Sequence, residues 1–329
     1  MKLHQVINGY RIVTKPATTK DQTAFAEKNG RYYFIKMFIS PKYPQAGGPG
    51  SDAVRQHKLE QCADFEHRNA FLNMHISPTS LGAGNLVLAN EIFREGSTYY
   101  KVSEVVSPSI HRDVTALNPH QALVVLRTTA LSIRLLHQAG FIHGDLKPDN
   151  VIVQETRPGV FVGKVIDFDD GYIAGSPPSP VDVIGDTAYY SPELMLYVKE
   201  SPQVTAADLT TSSDMFSLGL LFHFLLTAQL PDFDREKHKF ASVAAINGGL
   251  RVSLLKGPLQ AWVTRLLDVD YRNRPLIDDL CYFLLETSPQ DLAVCLPPAG
   301  MIRSSRPSSH AGMAEVNTVP ALKGTLKRD

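Results

Sequence analysis

A polar loop with the sequence FIHGDLKPDN, at residues 141–150, constrains this chain more than any other feature. The apolar run VVLRTTALSIRLL precedes it and VIV follows it, which predicts a loop held between a buried helix and a buried strand. Catalytic groups are common on loops that rigid elements position in this way. The loop offers a carboxylate, a cation and an amide oxygen from Asp145, Lys147 and Asn150. Phosphoryl transfer needs these three groups to deprotonate a hydroxyl, to stabilise the transferring phosphate and to bind magnesium.

The overall composition argues against several broad classes of protein. Hydrophobic residues make up 43% of the chain, which is too many for a wholly disordered protein. The 33 basic residues balance 33 acidic ones, so the bulk charge does not indicate a nucleic-acid or membrane partner. The N-terminus lacks the apolar core of a signal peptide, and the longest apolar stretch, Met215 to Leu230, is short for a membrane span and predicts a buried helix. Three cysteines without CxxC spacing argue against a disulfide framework or a cysteine zinc site and favour the cytoplasm: Cys62, Cys281 and Cys295.

The chain has 329 residues, which is long enough for two lobes. Its N-terminal third has a β-rich pattern followed by a helix. GYRIVTK and RYYFIKMF are typical of strands, and Asn29-Gly30 suits a hairpin turn between them. Lys36 lies inside the second run, where a lysine is costly to bury unless its ammonium meets an anion. Taken alone, Lys36 is better explained as an edge-strand lysine with its ammonium in solvent.

A helix predicted at about Ala53–Met74 carries the candidate anions for Lys36. Glu66 falls on its apolar face and is the first candidate, with Glu60 and Asp64 as rivals. Any of the three carboxylates could instead be solvated.

The remaining chain alternates strands and helices around the polar loop. Two strands, NLVLANEIFREG and STYYKVSEVV, lead to a lobe boundary near Ser107-Pro108, and Asn118-Pro119 opens an amphipathic helix through Gln138. The strand FVGKVIDFDD ends at Asp167, which is either a magnesium ligand or a turn aspartate that bonds local backbone. A proline-, serine- and glycine-rich segment at 171–190 and several helices follow.

In combination, these features resemble the eukaryotic-like (Hanks-type) protein kinases, in a divergent prokaryotic branch, over roughly residues 9–290. The resemblance implies an α+β fold with two lobes. Residues 1–106 would form a small antiparallel β N-lobe with one main helix, 107–296 a larger, mostly helical C-lobe, and 297–329 a disordered tail.

The resemblance also implies a role for each candidate site residue. Asp145 matches the catalytic aspartate, Lys147 the lysine at the γ-phosphate, and Asn150 and Asp167 the magnesium ligands. The nucleotide-binding positions would be the phosphate lysine, its helix partner and two backbone positions of the adenine-binding hinge: Lys36, Glu66, Glu104 and Val106.

Three further residues match structural positions of the family. Glu193 in SPE closes the activation segment, Arg274 would form a buried ion pair with it, and Asp214 would brace the backbone of the catalytic loop. A second family-like triplet, His111-Arg112-Asp113, lacks the lysine and asparagine spacing and is assigned to the surface.

Four departures from the family pattern bear on activity. No GxGxxG appears before Lys36, so the polar stretch PATTKDQTAF would have to cover the phosphates. Asp169 stands where DFG has glycine, and Gly144 replaces the arginine that usually receives an activation-loop phosphate, which suggests that phosphorylation is not the on-switch. Asp186 stands in place of a threonine that contributes to substrate preference.

The expected activity is phosphoryl transfer from ATP, with Mg²⁺, to serine or threonine hydroxyls of proteins, including possible self-phosphorylation, by a cytoplasmic protein without nucleic-acid or membrane partners. HGD and the DFD turn also occur in small-molecule kinases of the aminoglycoside and choline phosphotransferase type, but Lys147, SPE and Arg274 favour a protein substrate. A catalytically inactive pseudokinase is the third alternative, because the glycine-rich loop is missing.

Overall fold

The structure is a computed structural model that describes residues 1–18, 21–45, 47, 51–76, 83–107 and 114–293. Its described residues form two compact units, one from 1–67 and 88–107 and the other from 68–87 and 114–293. The first is built on an antiparallel sheet and the second is mostly helical, so the predicted α+β fold is confirmed. The predicted lobe limits at 106 and 296 stay a prediction, and the tail from 297 and the triplet His111-Arg112-Asp113 lie outside the described residues.

The sheet of the first unit follows the strand order β1-β2-β4-β5-β7-β6, and β3 pairs with β4 at one end. Every pairing is antiparallel. The strands are β1 Val6–Ile7, β2 Tyr10–Ile12, β3 Ala17–Thr18, β4 Gln22–Lys28, β5 Arg31–Lys42, β6 Ala89–Glu95 and β7 Thr98–Glu104.

The hairpin between β4 and β5 fixes the register of the central strands. Asn29 and Gly30 both have positive φ, 56° and 74°, as a two-residue hairpin turn that matches strand twist requires. Lys28 therefore pairs with Arg31, and counting outwards places Lys36 opposite Thr23. Alternate side chains of these strands fill one buried cluster, which includes Ile12, Ala24, Ala26, Ile35 and Val102.

Helix α1 spans Asp52–His75, in agreement with the predicted helix. Its buried residues Cys62 and Phe65 pack with Phe38 and Tyr99 of the sheet. The ring centroids of Phe65 lie 4.9 Å from those of both Phe38 and Tyr99. Helix α1 begins in the first unit, and its residues from Arg68 onward belong to the second.

The second unit surrounds the polar loop with helices and two short ladders. Strand β8 (Phe141–Ile142) pairs with β11 (Tyr172–Ile173), and β9 (Val151–Arg157) pairs with β10 (Val160–Val165). The helices are α2 Pro119–Gln138, α3 Pro192–Val198, α4 Ser212–Thr227, α5 Ala241–Ile246, α6 Gly257–Leu266, α7 Ile277–Glu286 and α8 Pro289–Ala293.

Helix α2 begins where the sequence predicts. Asn118 is its N-cap and accepts a hydrogen bond from Gln121 N at 3.0 Å, while the Gln121 side chain accepts one from Asn118 N at 3.1 Å. This reciprocal capping box satisfies backbone donors that the first turn leaves without helical partners. The helix ends before Gly140, which has a φ of 71° and lets the chain turn into β8.

Helix α4 is the apolar stretch that the sequence assigned to the core, and nearly all of its side chains are buried. It ends at Thr227 because Ala228 adopts a left-handed conformation with φ of 56°. None of the helices in the described ranges has both the length and the apolar character needed to cross a membrane.

Arg274 and Glu193 form the predicted buried ion pair. The two guanidinium nitrogens donate to the two carboxylate oxygens at 2.7 and 2.8 Å, and both side chains are almost fully buried. Ser213 Oγ donates to the same carboxylate at 2.9 Å, and Arg274 Nη1 also donates to Ser212 O. Together these contacts join the start of α3 to the start of α4 and to the segment before α7, which anchors the end of the segment 171–190.

Candidate active site

The polar loop, which is the predicted catalytic loop, lies between β8 and β9, and Asp214 of α4 holds its first residues. The Asp214 carboxylate accepts hydrogen bonds from His143 N at 2.8 Å and from Gly144 N at 3.2 Å, so the predicted brace is confirmed. His137 of α2 lies 2.9 Å from the same carboxylate. Burying the Asp214 carboxylate is costly unless its hydrogen-bond donors stay in place. Because two of these donors are the backbone N–H groups of His143 and Gly144, the contact fixes the backbone of the loop.

Asp145 is a buried carboxylate held through both of its oxygens. Oδ2 accepts from Lys147 Nζ at 2.6 Å and from Asn150 Nδ2 at 3.0 Å. Oδ1 accepts from the backbone N of Asp186 at 2.8 Å. The loop therefore brings together the three polar side chains that the sequence singled out. The segment 171–190 supplies a third contact to Asp145, which the sequence did not predict.

Lys147 stays cationic in this environment. Partial burial opposes its charge, but the carboxylates of Asp145, Asp186 and Asp167 outweigh burial and raise the pKa of the ammonium above its ordinary value. The Lys147 ammonium, held beside the Asp145 carboxylate, can stabilise negative charge that a substrate brings into the loop.

Asn150 and Asp167 are brought together by the backbone. Ile166 N donates to Asn150 O at 3.0 Å, which sets Asp167 next to the end of the catalytic loop. The Asn150 Nδ2 group donates to Asp145 O at 2.7 Å as well as to the carboxylate, which leaves its amide oxygen as an acceptor for a cation.

An amide oxygen and a carboxylate form a donor set that fits Mg²⁺, which prefers oxygen ligands and keeps only one or two protein carboxylates. Within the described part of the chain, no group of three or more His, Cys, Asp or Glu side chains is arranged to hold a metal ion.

The turn after Asp167 accommodates aspartate in place of glycine. The residue of this turn with positive φ is Asp167, at 57°, and Asp169 is not among the described residues with positive φ. Asp169 therefore adopts a backbone conformation that any residue tolerates, and its presence costs little strain.

Lys36 in the first unit has a buried carboxylate beside it that the sequence reading missed. Lys36 Nζ lies 3.4 Å from Asp21 Oδ2, and the other oxygen of Asp21 accepts from Ile39 N at 2.8 Å. The hairpin register could have revealed this contact, because Asp21 lies two residues before Thr23, the partner of Lys36, and so on the same face.

The predicted partner of Lys36, Glu66, has a different contact in the structure. Its carboxylate accepts a hydrogen bond from the Tyr99 hydroxyl at 2.5 Å, and burial with this bond raises the pKa of Tyr99. The rival Glu60 is exposed and accepts from Gln56 one helical turn away, at 3.0 Å. The ion pair between Lys36 and Glu66 stays a prediction.

The backbone positions predicted to bind the nucleotide lie in the first unit. Strand β7 ends at Glu104, so Val106 lies beyond the strand, as a hinge position requires, although the adenine contacts of both residues stay a prediction. In place of a glycine-rich loop, strand β3 pairs back onto β4 through Ala17 and Thr23, while residues 19 and 20 lie outside the described ranges.

Comparison with known proteins gives a consistent set of matches. The model of the protein kinase domain matches residues 53–282. The serine/threonine-protein kinase pkn2 of Myxococcus xanthus is 29% identical over 194 residues, which cover 56% of this chain and 21% of the relative. PrkC of Bacillus subtilis is 27% identical over 192 residues, covering 56% and 27%, and the serine/threonine-protein kinase RAD53 of Saccharomyces cerevisiae is 25% identical over 201, covering 57% and 24%. The chain thus spans about a quarter of the length of these relatives.

Proposed function

The chain belongs to the protein kinase family, and from that premise we propose that it transfers the γ-phosphoryl group of ATP to serine or threonine hydroxyls of proteins. One observation carries the proposal. The Asp145 carboxylate is held by Lys147, Asn150 and the backbone of Asp186, in a loop that Asp214 braces. A loop built in this way can orient an acceptor hydroxyl and stabilise a transferring phosphoryl group at the same time.

Asp145 is the group that accepts the proton of the acceptor hydroxyl. Its three donors hold the carboxylate in one orientation, which lowers the entropic cost of aligning the hydroxyl. Lys147, whose raised pKa keeps it charged at neutral pH, stabilises the transferring phosphoryl group.

Asn150 and Asp167 are proposed to hold Mg²⁺, which when bound offsets negative charge on the β- and γ-phosphate oxygens. The chain's own contribution is to keep these two oxygen ligands together. The Asn150 Nδ2 group is anchored on Asp145, and the bond between Ile166 N and Asn150 O ties the strand end to the loop.

Binding of ATP would use the first unit. Lys36 is proposed to bind the α- and β-phosphates, with Asp21 and Glu66 as the carboxylates that orient it, and the backbone at Glu104 and Val106 to bond the adenine edge. The buried environment of Lys36 supports this role, because an ammonium there is stable only with anions nearby.

A protein substrate is supported by the relatives, which carry the name serine/threonine-protein kinase, and by the ion pair between Glu193 and Arg274. That pair anchors the end of the segment from which Asp186 reaches the catalytic aspartate. We include the chain itself among its substrates. A cytoplasmic location accords with Cys62 and Cys281, which are free and buried.

The proposal is tested by incubating the purified chain with labelled ATP and Mg²⁺ in the presence of casein, choline or an aminoglycoside. Label on casein, and on the chain itself, is the expected result. Asp145→Ala and Asp167→Ala should each lower the rate by about 100- to 1000-fold or more, as loss of an electrostatic partner of the transition state does.

Asp278→Asn is the matched control, because Asp278 forms only a surface ion pair with Arg134. It should label casein as the wild type does. Label on choline or the aminoglycoside alone would favour a small-molecule kinase. Equal, negligible label for the wild type and both site variants would favour a pseudokinase.

A further inference from the structure

The metal-binding turn is held by a residue that the proposed mechanism does not use. Arg68, on the last turns of α1, donates from Nη1 to Asp169 O at 3.0 Å and to Gly171 O at 2.7 Å. These carbonyls belong to the turn that begins at Asp167. All of these residues lie in the second unit. Hydrogen bonds from a guanidinium are stronger than neutral ones, and two on one nitrogen fix the turn in position.

The turn also packs tightly against strand β8 and the loop that follows it. A Cβ on Gly171 would lie 2.5 Å from Ile142 O and would overlap the ring of Phe141. A Cβ on Gly144, whose φ is +77°, would come within 3.0 Å of Asp170 O. The two glycines let the turn touch the loop beside Asp145, and an arginine at position 144 would be strained in this arrangement.

Two kinds of contact therefore hold the turn. It packs closely against Ile142 and Gly144, and two of its carbonyl oxygens accept hydrogen bonds from the Arg68 guanidinium. The internal bond from Gly171 N to Phe168 O, 3.1 Å, closes the turn but does not connect it to a neighbouring element. The contacts of Arg68 make that connection to α1.

We propose that Arg68 is a positioning residue that fixes the Asp167 turn for metal binding without any phosphorylated residue. The inference rests on the proposed function, because it concerns the metal step of phosphoryl transfer. The two hydrogen bonds from Arg68 go to main-chain carbonyl oxygens of the turn, and neither bond requires a modified residue. Loss of Arg68 would let the turn move, and with it the carboxylate of Asp167, while leaving Asp145 and its donors in place.

Hydrogen exchange tests the contact without requiring activity. In Arg68→Met, which keeps the length of the side chain but removes its donors, the backbone amides of 167–171 should exchange at least about tenfold faster than in the wild type. Tenfold corresponds to about 1.4 kcal/mol, which the loss of one hydrogen bond from a charged group supplies. Arg68→Lys, which retains the charge, should recover part of the protection. Arg55→Met, at an exposed position on the same helix, should exchange as the wild type does. Unchanged exchange at 167–171 in Arg68→Met would overturn the proposal.

The Mg²⁺ dependence of the phosphatase-treated protein tests the consequence. Labelling of casein by Arg68→Met should need about tenfold more Mg²⁺ for its half-maximal rate, with the KM for casein unchanged and with partial recovery in Arg68→Lys. A purely structural role would instead lower the thermal midpoint and leave the Mg²⁺ requirement unchanged, which would contradict the proposal. If Arg68→Met does not fold, both measurements are made on Arg68→Lys. Wild-type exchange at 167–171 together with a wild-type Mg²⁺ requirement in Arg68→Lys would then contradict the proposal.

The two proposals fail in different ways. If the wild type does not label casein, the proposed function fails while the exchange measurement still decides the contact of Arg68. If the wild type labels casein and Arg68→Met shows wild-type exchange and Mg²⁺ dependence, only the role of Arg68 is lost.

Discussion

At the scale of single residues, two carboxylates that both qualify as partners of Lys36 have different surroundings. Asp21 is buried, with one oxygen on Ile39 N and the other 3.4 Å from Lys36 Nζ. Glu66 is exposed, and its carboxylate accepts from Tyr99. Charges sheltered from water are screened less than exposed ones, so Asp21 has the stronger influence on Lys36 in this conformation.

We expect Asp21→Asn to raise the KM for ATP by about tenfold, because it removes the buried charge that orients Lys36. Glu66→Gln, the matched change of a carboxylate to an amide, should raise it less. Initial rates of casein labelling at varied ATP concentration measure both values. A larger effect from Glu66→Gln would instead identify Glu66 as the main partner during turnover.

The residues that sequence reasoning found and those it missed differ in the kind of contact they make. Asp145 lies in a polar loop between two apolar runs, which points to it directly. Asp214 and Arg274 were found through the resemblance to the kinase family. Asp21 depends on strand register, which follows only after the hairpin is placed. Arg68 binds main-chain carbonyls, which no residue type reveals.

At the scale of elements, the joint between α3 and α4 relies on a buried ion pair. Arg274→Ala leaves the Glu193 carboxylate buried without its cation, and we expect a loss of about 3–5 kcal/mol in the free energy of unfolding. Urea unfolding followed by circular dichroism gives this value. The activity that remains per folded molecule should change little, because the pair touches none of the reacting groups.

Arg272→Ala is the matched control for that experiment. Arg272 forms a similar bidentate contact with Asp270, but its side chain is 73% exposed. Solvent screens a surface ion pair of this kind, so the free energy of unfolding of Arg272→Ala should stay close to that of the wild type. Equal losses in the two variants would contradict a special role for the buried pair.

Elements with strong local signals were predictable, and those without were not. The capping box of α2, the Asn29-Gly30 hairpin and the apolar stretch of α4 each carry a residue pattern that specifies them locally. The two-residue strands β1, β3, β8 and β11 have no such pattern, since their pairing is set by the neighbours that they meet in the fold. The contact between Asp186 N and Asp145 depends in the same way on a segment without periodicity.

At the scale of the whole molecule, a buried histidine in α4 makes stability depend on pH. Burial lowers the pKa of His223 below its ordinary value of 6.5, although Nδ1 donates to Gln229 O at 2.7 Å. Within the described residues, Nε2 is buried without a hydrogen-bond partner, so a proton added there has no acceptor. The unfolded chain binds that proton more readily than the folded chain below pH 6.5.

The contribution of neutral His223 to the free energy of unfolding should therefore be fully present above pH 6.5. It should fall as the pH drops below that value, by up to about 1.4 kcal/mol per pH unit for this one proton. Thermal midpoints between pH 5 and 8 measure the slope. His223→Gln should flatten the slope, and His120→Gln, at an exposed position, should keep it. A slope that is the same in His223→Gln as in the wild type would assign the pH dependence to other groups.

The central claim is that this chain phosphorylates protein hydroxyls by means of Asp145, and mass spectrometry of casein tests it most directly. Casein incubated with ATP, Mg²⁺ and the wild-type chain should carry new phosphate on serine or threonine. Asp145→Asn, which keeps the shape of the side chain but cannot accept the proton, should add none above background. Equal phosphorylation by the wild type and Asp145→Asn, or no new phosphate on casein with the wild type, would contradict the claim.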